Sequence, residues 1–150
     1  MGHDAAGMQI VTQVGIVVAD IEAAARKWAA VFGREVGEAR LTDGYDKTQA
    51  EYEGEPTEAR AKLVFLDFGQ VQIELIEPVD GPSAWRDHLE QHGGGLHHIA
   101  FRIKGMADTI AYLEGHGISL IQRGEYTGGR YAYLDGAAGL GTILELLEND

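Results

Sequence analysis

The sequence predicts an α+β fold in which two pseudo-symmetric βαβββ modules form one curled mixed sheet around a central cleft. Three observations carry this reading. Short β-branched runs alternate with segments of helical period. The order strand, helix, three strands occurs twice, about one bridging helix. Finally, Val71-Gln72-Ile73-Glu74-Leu75-Ile76-Glu77 closes the first half and recurs as Thr142-Ile143-Leu144-Glu145-Leu146-Leu147-Glu148 at the end of the second. Either copy alone is ordinary amphipathic strand text. The matched order of elements makes duplication the better explanation. One domain therefore spans 1–150, with module 1 at about 9–78, the bridging helix at 83–92 and module 2 at about 96–148.

Each element has a local reason. Val14, Ile16 and Val18 alternate with Gln13, Gly15 and Val17, which reads as a strand. Asp20 caps a helix on which Ile21, Ala24, Ala25, Trp28, Val31 and Phe32 share one face, and Gly33 stops it. Residues 34–42 are expected to form a second strand. Residues 43–58, with six acidic side chains, Gly44, Gly54 and Pro56, read as a solvated loop or lid. Residues 62–68 and 71–77 form a hairpin about Gly69-Gln70. Ser83 caps the bridging helix, which holds Trp85 and Leu89 and ends at Gly93-Gly94-Gly95. A strand over 96–103 opens the second half. Met106, Ile110 and Leu113 mark its helix, and 118–126, 130–135 and 142–148 are its three closing strands. Trp28 and Trp85 are expected to pack helix against sheet.

Composition narrows the function. The chain has 150 residues, 45% hydrophobic and 24% charged, enough for a core. Asp and Glu number 24 against 12 Lys and Arg, a formal charge of −12. Nucleic acid and anionic membrane demand clustered positive charge, so neither is expected as a partner. There is no cysteine, which removes disulfides, thiolate metal sites and a cysteine nucleophile. No apolar run is long enough to span a bilayer. Met1 to Gly7 shows no basic and apolar leader, so a cytoplasmic location is expected.

Strand parity gathers a polar quartet. With Val14, Ile16, Val18 and Ile99, Phe101, Ile103 facing helices, Gln13 and His98 turn to the opposite face. Glu74 and Glu145 do the same in the two closing strands. Sheets curled across a pseudo-twofold would bring these four into one cleft. An amide oxygen, an imidazole and two carboxylates suit one divalent cation, leaving two positions on an octahedral ion. Zn, Ni, Co, Mn and Mg are not distinguished. Arg102 shares parity with His98 and is a candidate for binding a substrate carboxylate. Lys104, Arg123 and Arg130 are secondary candidates for phosphates. His88, His92, His97 and His116 are expected to be non-ligands, His97 because its parity opposes that of His98. The glycines near 128–129 and 136–141 lack a Gly-Lys-Ser/Thr ending and read as turns rather than a phosphate loop.

These residues resemble the vicinal oxygen chelate superfamily, which pairs βαβββ modules around a metal cleft, and within it the methylmalonyl-CoA epimerase branch. The resemblance covers about 13–148. Ile73-Glu74-Leu75-Ile76-Glu77-Pro78 is similar to that branch's fourth strand. Gly94-Gly95-Leu96-His97-His98-Ile99-Ala100-Phe101 resembles its Gly-Leu/Met-His-His motif, and Gly139 to Glu145 resembles its closing strand. The resemblance implies metal ligation by Gln13, Glu74, His98 and Glu145, with Glu145 also moving a proton. It departs at Gln13, where epimerases usually have His. Gln with Glu, His and Glu is similar to the zinc set of human-type glyoxalase I. Near Lys62 some epimerases place a second base, and Tyr133-Leu134-Asp135-Gly136 replaces a His-Pro pair.

The chemistry expected is α-proton abstraction with enolate stabilisation. Glu145 is the leading base and Glu74 serves the opposite face. Return of the proton to the same carbon gives epimerisation, possible for an acyl-CoA. Return to the neighbouring carbon gives a glyoxalase I-like isomerisation. A metal-free, ligand-sequestering protein of the antibiotic-resistance type is the alternative from a different class. Unpaired sheet edges lead to the expectation of a homodimer.

Overall fold

A computed structural model describes residues 5–150; the first four residues of the Met1 to Gly7 stretch lie outside the described residues. Module 1 contains β1 (Gln13–Val17), α1 (Ile21–Phe32), β2 (Arg40–Leu41), α2 (Tyr45–Thr48), β3 (Glu51–Tyr52), β4 (Glu55–Pro56), β5 (Arg60–Asp67) and β6 (Gln72–Val79). The bridging helix is α3 (Ala84–His92). Module 2 contains β7 (Gly95–Arg102), α4 (Met106–Glu114), β8 (Ser119–Tyr126), β9 (Gly129–Asp135), α5 (Ala137–Leu140) and β10 (Ile143–Asn149).

All ten strands join in one sheet, in the order β2-β5-β6-β1-β7-β10-β9-β8-β3-β4. The duplication is visible in the pairing. Each module's first strand runs parallel to its last, β1 with β6 and β7 with β10. The two opening strands meet antiparallel at the centre. Outward from that centre the orders β1-β6-β5-β2 and β7-β10-β9-β8 correspond strand for strand.

The helices start and stop where the sequence places them. Asp20 accepts from Ala23 N at 3.0 Å and Gly33 closes α1 in the left-handed region at φ 61°. Ser83 accepts from Arg86 N at 3.0 Å and Gly93 ends α3. The apolar parity of the strands is also as read. Ile16 and Val18 pack with Ile21, Val64 and Leu75 under α1. Phe101, Ile103, Leu144 and Leu146 pack with Ile110 and Leu113 of α4. Inside the curl, Val17, Ala61, Ile76, Trp85 and Tyr133 form a third cluster. Trp85 caps this interior and donates from Nε1 to Tyr133 Oη at 3.0 Å. Trp28 packs with Phe32 and Phe68 at ring separations of 5.0 and 6.2 Å.

Two stretches differ from expectation. Residues 34–42 form only the two-residue β2, because β5 presents just Leu63 and Lys62 to it before the chain leaves the sheet. Residues 43–58 are not a loose lid. They carry α2 and the β3–β4 hairpin, which crosses to the other module and pairs with β8 through Glu51 and Tyr52. Thr48, Ala50 and Thr57 are buried there, and Thr57 Oγ1 donates to Pro82 O at 2.7 Å. The acidic side chains face outward, while the few small residues between them anchor the segment. The crossing also bears on the homodimer expected from open edges. The sheet ends in β2 and β4, two residues each, and β2 pairs with β5 only at Leu63 and Lys62, so the rest of β5 keeps the open edge from which that expectation arose. No helix among the described residues is long and apolar enough to cross a membrane.

Candidate metal centre

The quartet occupies two rows across the central strands. In one row, Glu74, Gly15 and His98 are side by side on β6, β1 and β7. In the other, Gln13, Ala100 and Glu145 are side by side on β1, β7 and β10. The pseudo-twofold exchanges Gln13 with His98, Gly15 with Ala100 and Glu74 with Glu145. In both rows the middle residue is small, and that opens the space above the sheet into which the outer side chains lean. At Gly15 the need is steric: a Cβ there would stand 2.0 Å from His98 Cε1, because the imidazole lies directly over the glycine.

All four side chains are buried and converge. His98 Nε2 lies 3.1 Å from Glu145 Oε1, 3.6 Å from Glu74 Oε1 and 3.2 Å from Gln13 Oε1. The same end of the Gln13 amide is 3.2 Å from Glu74 Oε1 and 3.0 Å from Glu145 Oε1. An ion bound at about 2.0–2.2 Å holds neighbouring donors roughly 2.9–3.6 Å apart, depending on coordination geometry. The spacing therefore fits a single divalent ion. The orientation of Gln13 fits it too. With Oε1 inward, Nε2 points away and donates to Gln72 Oε1 at 2.7 Å. Turning the amide over would bring its NH2 to the carboxylates and set its oxygen against Gln72 Oε1 instead. Gln72 is the outer partner in either orientation, and a bound ion would select the one with Oε1 inward.

Electrostatics point the same way. Burial, and then the neighbouring Glu145, push the Glu74 carboxyl well above its ordinary range. Two carboxylates buried in contact are costly unless positive charge joins them.

His97 requires a correction. It does not point away from His98. A bulge in β7 pairs Gly15 with His98 but Ile16 with Leu96, so His97 is an extra residue. Both imidazoles thereby turn into the interior, where His97 Nδ1 meets His98 Nδ1 at 2.9 Å. Burial, then His98 and His88, lower the His97 pKa to about 2, so this ring is neutral. Parity read from sequence cannot register a bulge; the Gly94-Gly95 pair before it, both at positive φ, is the available signal.

The cluster opens on a cavity of about 390 Å³. One wall is apolar, with Ala59 just before β5 and Leu63 and Phe65 on it; the facing wall is phenolic, with Tyr126, Tyr131 and Tyr133. Burial raises the pKa of Tyr131 and Tyr133, so both remain hydroxyl donors. Tyr133 Oη accepts from Trp85 and Tyr131 Oη accepts from Gln122 Nε2 at 3.0 Å, leaving each phenolic hydrogen free. Arg40, passed over in the sequence, lines the cavity and makes no ion pair among the described residues. Arg102 is exposed, outside the cavity lining but close enough to Tyr126 to bear on its phenol. Lys104, Arg123 and Arg130 are engaged with Asn149, Glu51 and the Glu125/Glu148/Asp150 group respectively. Lys62 points to the opposite face, toward Glu22 and Glu77. His88 and His92 stack on each other on α3, and His116 packs on Tyr112, away from the quartet.

Paired βαβββ modules thus enclose a buried cluster of lone pairs at their junction, and comparison with known proteins assigns the fold to a class. The chain belongs to the Glyoxalase/Bleomycin resistance protein/Dioxygenase superfamily, whose family model matches residues 12–133. It is similar to the uncharacterized protein YqjC of Bacillus subtilis, at 32% identity over 94 residues, 61% of this chain and 67% of that protein. It is also similar to an ethylmalonyl-CoA/methylmalonyl-CoA epimerase of Cereibacter sphaeroides, at 27% identity over 113 residues, 75% of this chain and 74% of that protein. The methylmalonyl-CoA epimerase from Mycobacterium tuberculosis shares the fold, with a TM-score of 0.65, 22% identity, and coverage of 93% of this chain and 87% of that one.

The close approach at Gly15 makes a direct prediction. Gly15→Ala forces the His98 ring off its place, at a cost of about 1–3 kcal/mol, and lowers the melting temperature by several degrees. It also weakens divalent-ion binding in titrations of metal-free protein. An unchanged melting temperature with unchanged affinity would contradict the packing.

Proposed function

We propose that this chain is a metal-dependent epimerase or isomerase that moves a proton at the carbon beside a carbonyl. The observation that carries the reading is the buried Gln13/Glu74/His98/Glu145 cluster at the floor of a cavity large enough for the reacting end of an acyl substrate. In this reading the four residues hold one divalent ion and the chain acts as a single domain. A bound dication supplies positive charge that stabilises an enolate oxygen.

The chain's own residues supply the rest. Glu145 takes the α-proton on one side and Glu74, its pseudo-equivalent, faces the other. Among the described residues no other carboxylate sits in the interior: Asp43 and Glu125 lie at the exposed rim, and the β5 wall facing the cavity offers only apolar side chains. The Tyr131 and Tyr133 hydroxyls orient a substrate oxygen by hydrogen bonding. Leu63 and Phe65 pack the substrate's alkyl group and exclude water. Arg40, the unpaired cation on the cavity wall, binds an anionic group of the substrate, with Arg102 farther out at the rim. The similarity to the Cereibacter epimerase supports an acyl-CoA as substrate class. A glyoxalase I-like isomerisation is the second reading. It is favoured by Gln13 at the site and by the confinement of interior bases to the two cluster carboxylates.

Incubation in D2O with a panel of acyl-CoAs and 2-keto acids tests the chemistry, because exchange reports α-proton abstraction whatever the product. Deuterium enters the α-carbon of at least one member, and Glu145→Ala abolishes it; a panel without enzyme-dependent exchange would contradict the reading. Which substrate exchanges separates the two reactions. With that substrate, Arg40→Ala raises KM about tenfold and leaves kcat nearly unchanged, the pattern of a lost ground-state ion contact. A fall in kcat at constant KM would place Arg40 elsewhere in the mechanism.

A further inference from the structure

We infer that His97 is a positioning residue: its Nδ1 accepts a hydrogen bond from His98 Nδ1–H and thereby holds the Nε2 lone pair of His98 aimed into the cluster. The inference rests on the metal reading above and deepens it. It starts from the environment of His98. Its Nε2 faces only acceptors in the ion-binding orientation of the site, namely Gln13 Oε1, Glu74 Oε1 and Glu145 Oε1. A ligating Nε2 carries no hydrogen, so the hydrogen of the neutral ring must sit on Nδ1. The group that Nδ1 meets is His97 Nδ1, at 2.9 Å. His97 must then accept there and carry its own hydrogen on Nε2, which is buried without a hydrogen-bond partner.

His97 is built to keep that pose. The β7 bulge brings it to the same side as His98. Its ring is wedged edge-on between Tyr133 and His88, at centroid distances of 5.3 and 5.1 Å. The choice of an imidazole has a charge rationale. Ligating histidines are commonly oriented by a carboxylate or a carbonyl. A third carboxylate here would add negative charge to an interior that already buries two. A neutral imidazole supplies the acceptor and leaves the site at a formal −2, which a dication neutralises. The pseudo-symmetric position follows the same rule: Gln13, the counterpart of His98, is held from behind by neutral Gln72 at 2.7 Å. Both neutral ligands are thus oriented by neutral partners, and the carboxylates carry the charge.

The test uses 15N-labelled full-length protein, free of metal and loaded with zinc, together with His97→Phe and His97→Asn. A scalar coupling across the bond between the two Nδ1 atoms is expected in the zinc-loaded protein, with His98 as the Nδ1–H tautomer. Titration of metal-free protein with zinc or cobalt should show affinity reduced about 10–100-fold in His97→Phe. His97→Asn, which keeps an acceptor near the Nδ1 position, should recover most of it. Absence of the coupling, or wild-type affinity in a folded His97→Phe, would overturn the inference. So would an equal loss in both variants, the mark of a packing role alone. A wild-type chain that shows the coupling but binds neither ion would instead overturn the metal reading and leave the imidazole pair standing.

Discussion

Glu74 and Glu145 are buried in one small space with the lone pairs of Gln13 and His98, and much of the structure follows from that crowding. Each carboxylate removed from water costs several kcal/mol, roughly, unless paired, and proximity adds repulsion. The surroundings respond in kind. Among the described residues no Lys or Arg enters the cluster: Lys62 is turned to the other face, Arg130 is held by outer acids, and Arg40 remains on the cavity wall. The groups immediately behind His98 and Gln13, His97 and Gln72, are neutral. A site that withholds internal counter-charge so consistently is suited to charge arriving from outside.

The duplicated fold explains how such a site is assembled. Because β1 and β7 meet antiparallel about the pseudo-twofold, a polar residue on each and one on each parallel neighbour fall at the corners of a patch. Gly15 and Ala100 keep its middle low. The modules also depart from symmetry in the walls they give the cleft. Module 1 contributes an apolar wall from β5, and module 2 a wall of tyrosines from β9. The β3–β4 hairpin then crosses from module 1 to β8, so the cleft is enclosed within one chain.

Much of this was legible in the sequence because strand parity is a local property. The alternation around Val14–Val18 and Ile99–Ile103 put Gln13 and His98 on the interior face, and the repeated Glu-Leu text did the same for Glu74 and Glu145. What escaped depends on partners that sequence does not display. A bulge opposite Gly15 reversed the side of His97. The 43–58 stretch reads as solvent-exposed from its charges, yet three small side chains, Thr48, Ala50 and Thr57, are enough to anchor it across the cleft. Arg40 and Arg102 are equivalent on paper. Only the short pairing of β2 with β5 sets Arg40 on the cavity wall.

In the proposed function the quartet holds one divalent ion per chain. Metal analysis of protein prepared without a histidine tag, with equilibrium titration after chelation, tests it most directly. One equivalent of a divalent ion is expected at the Gln13/Glu74/His98/Glu145 site, and its loss when Glu74 and Glu145 are both replaced by Gln. A metal-free chain that takes up none of zinc, nickel, cobalt, manganese or magnesium, or a double variant that binds them as well as the natural sequence, would contradict it.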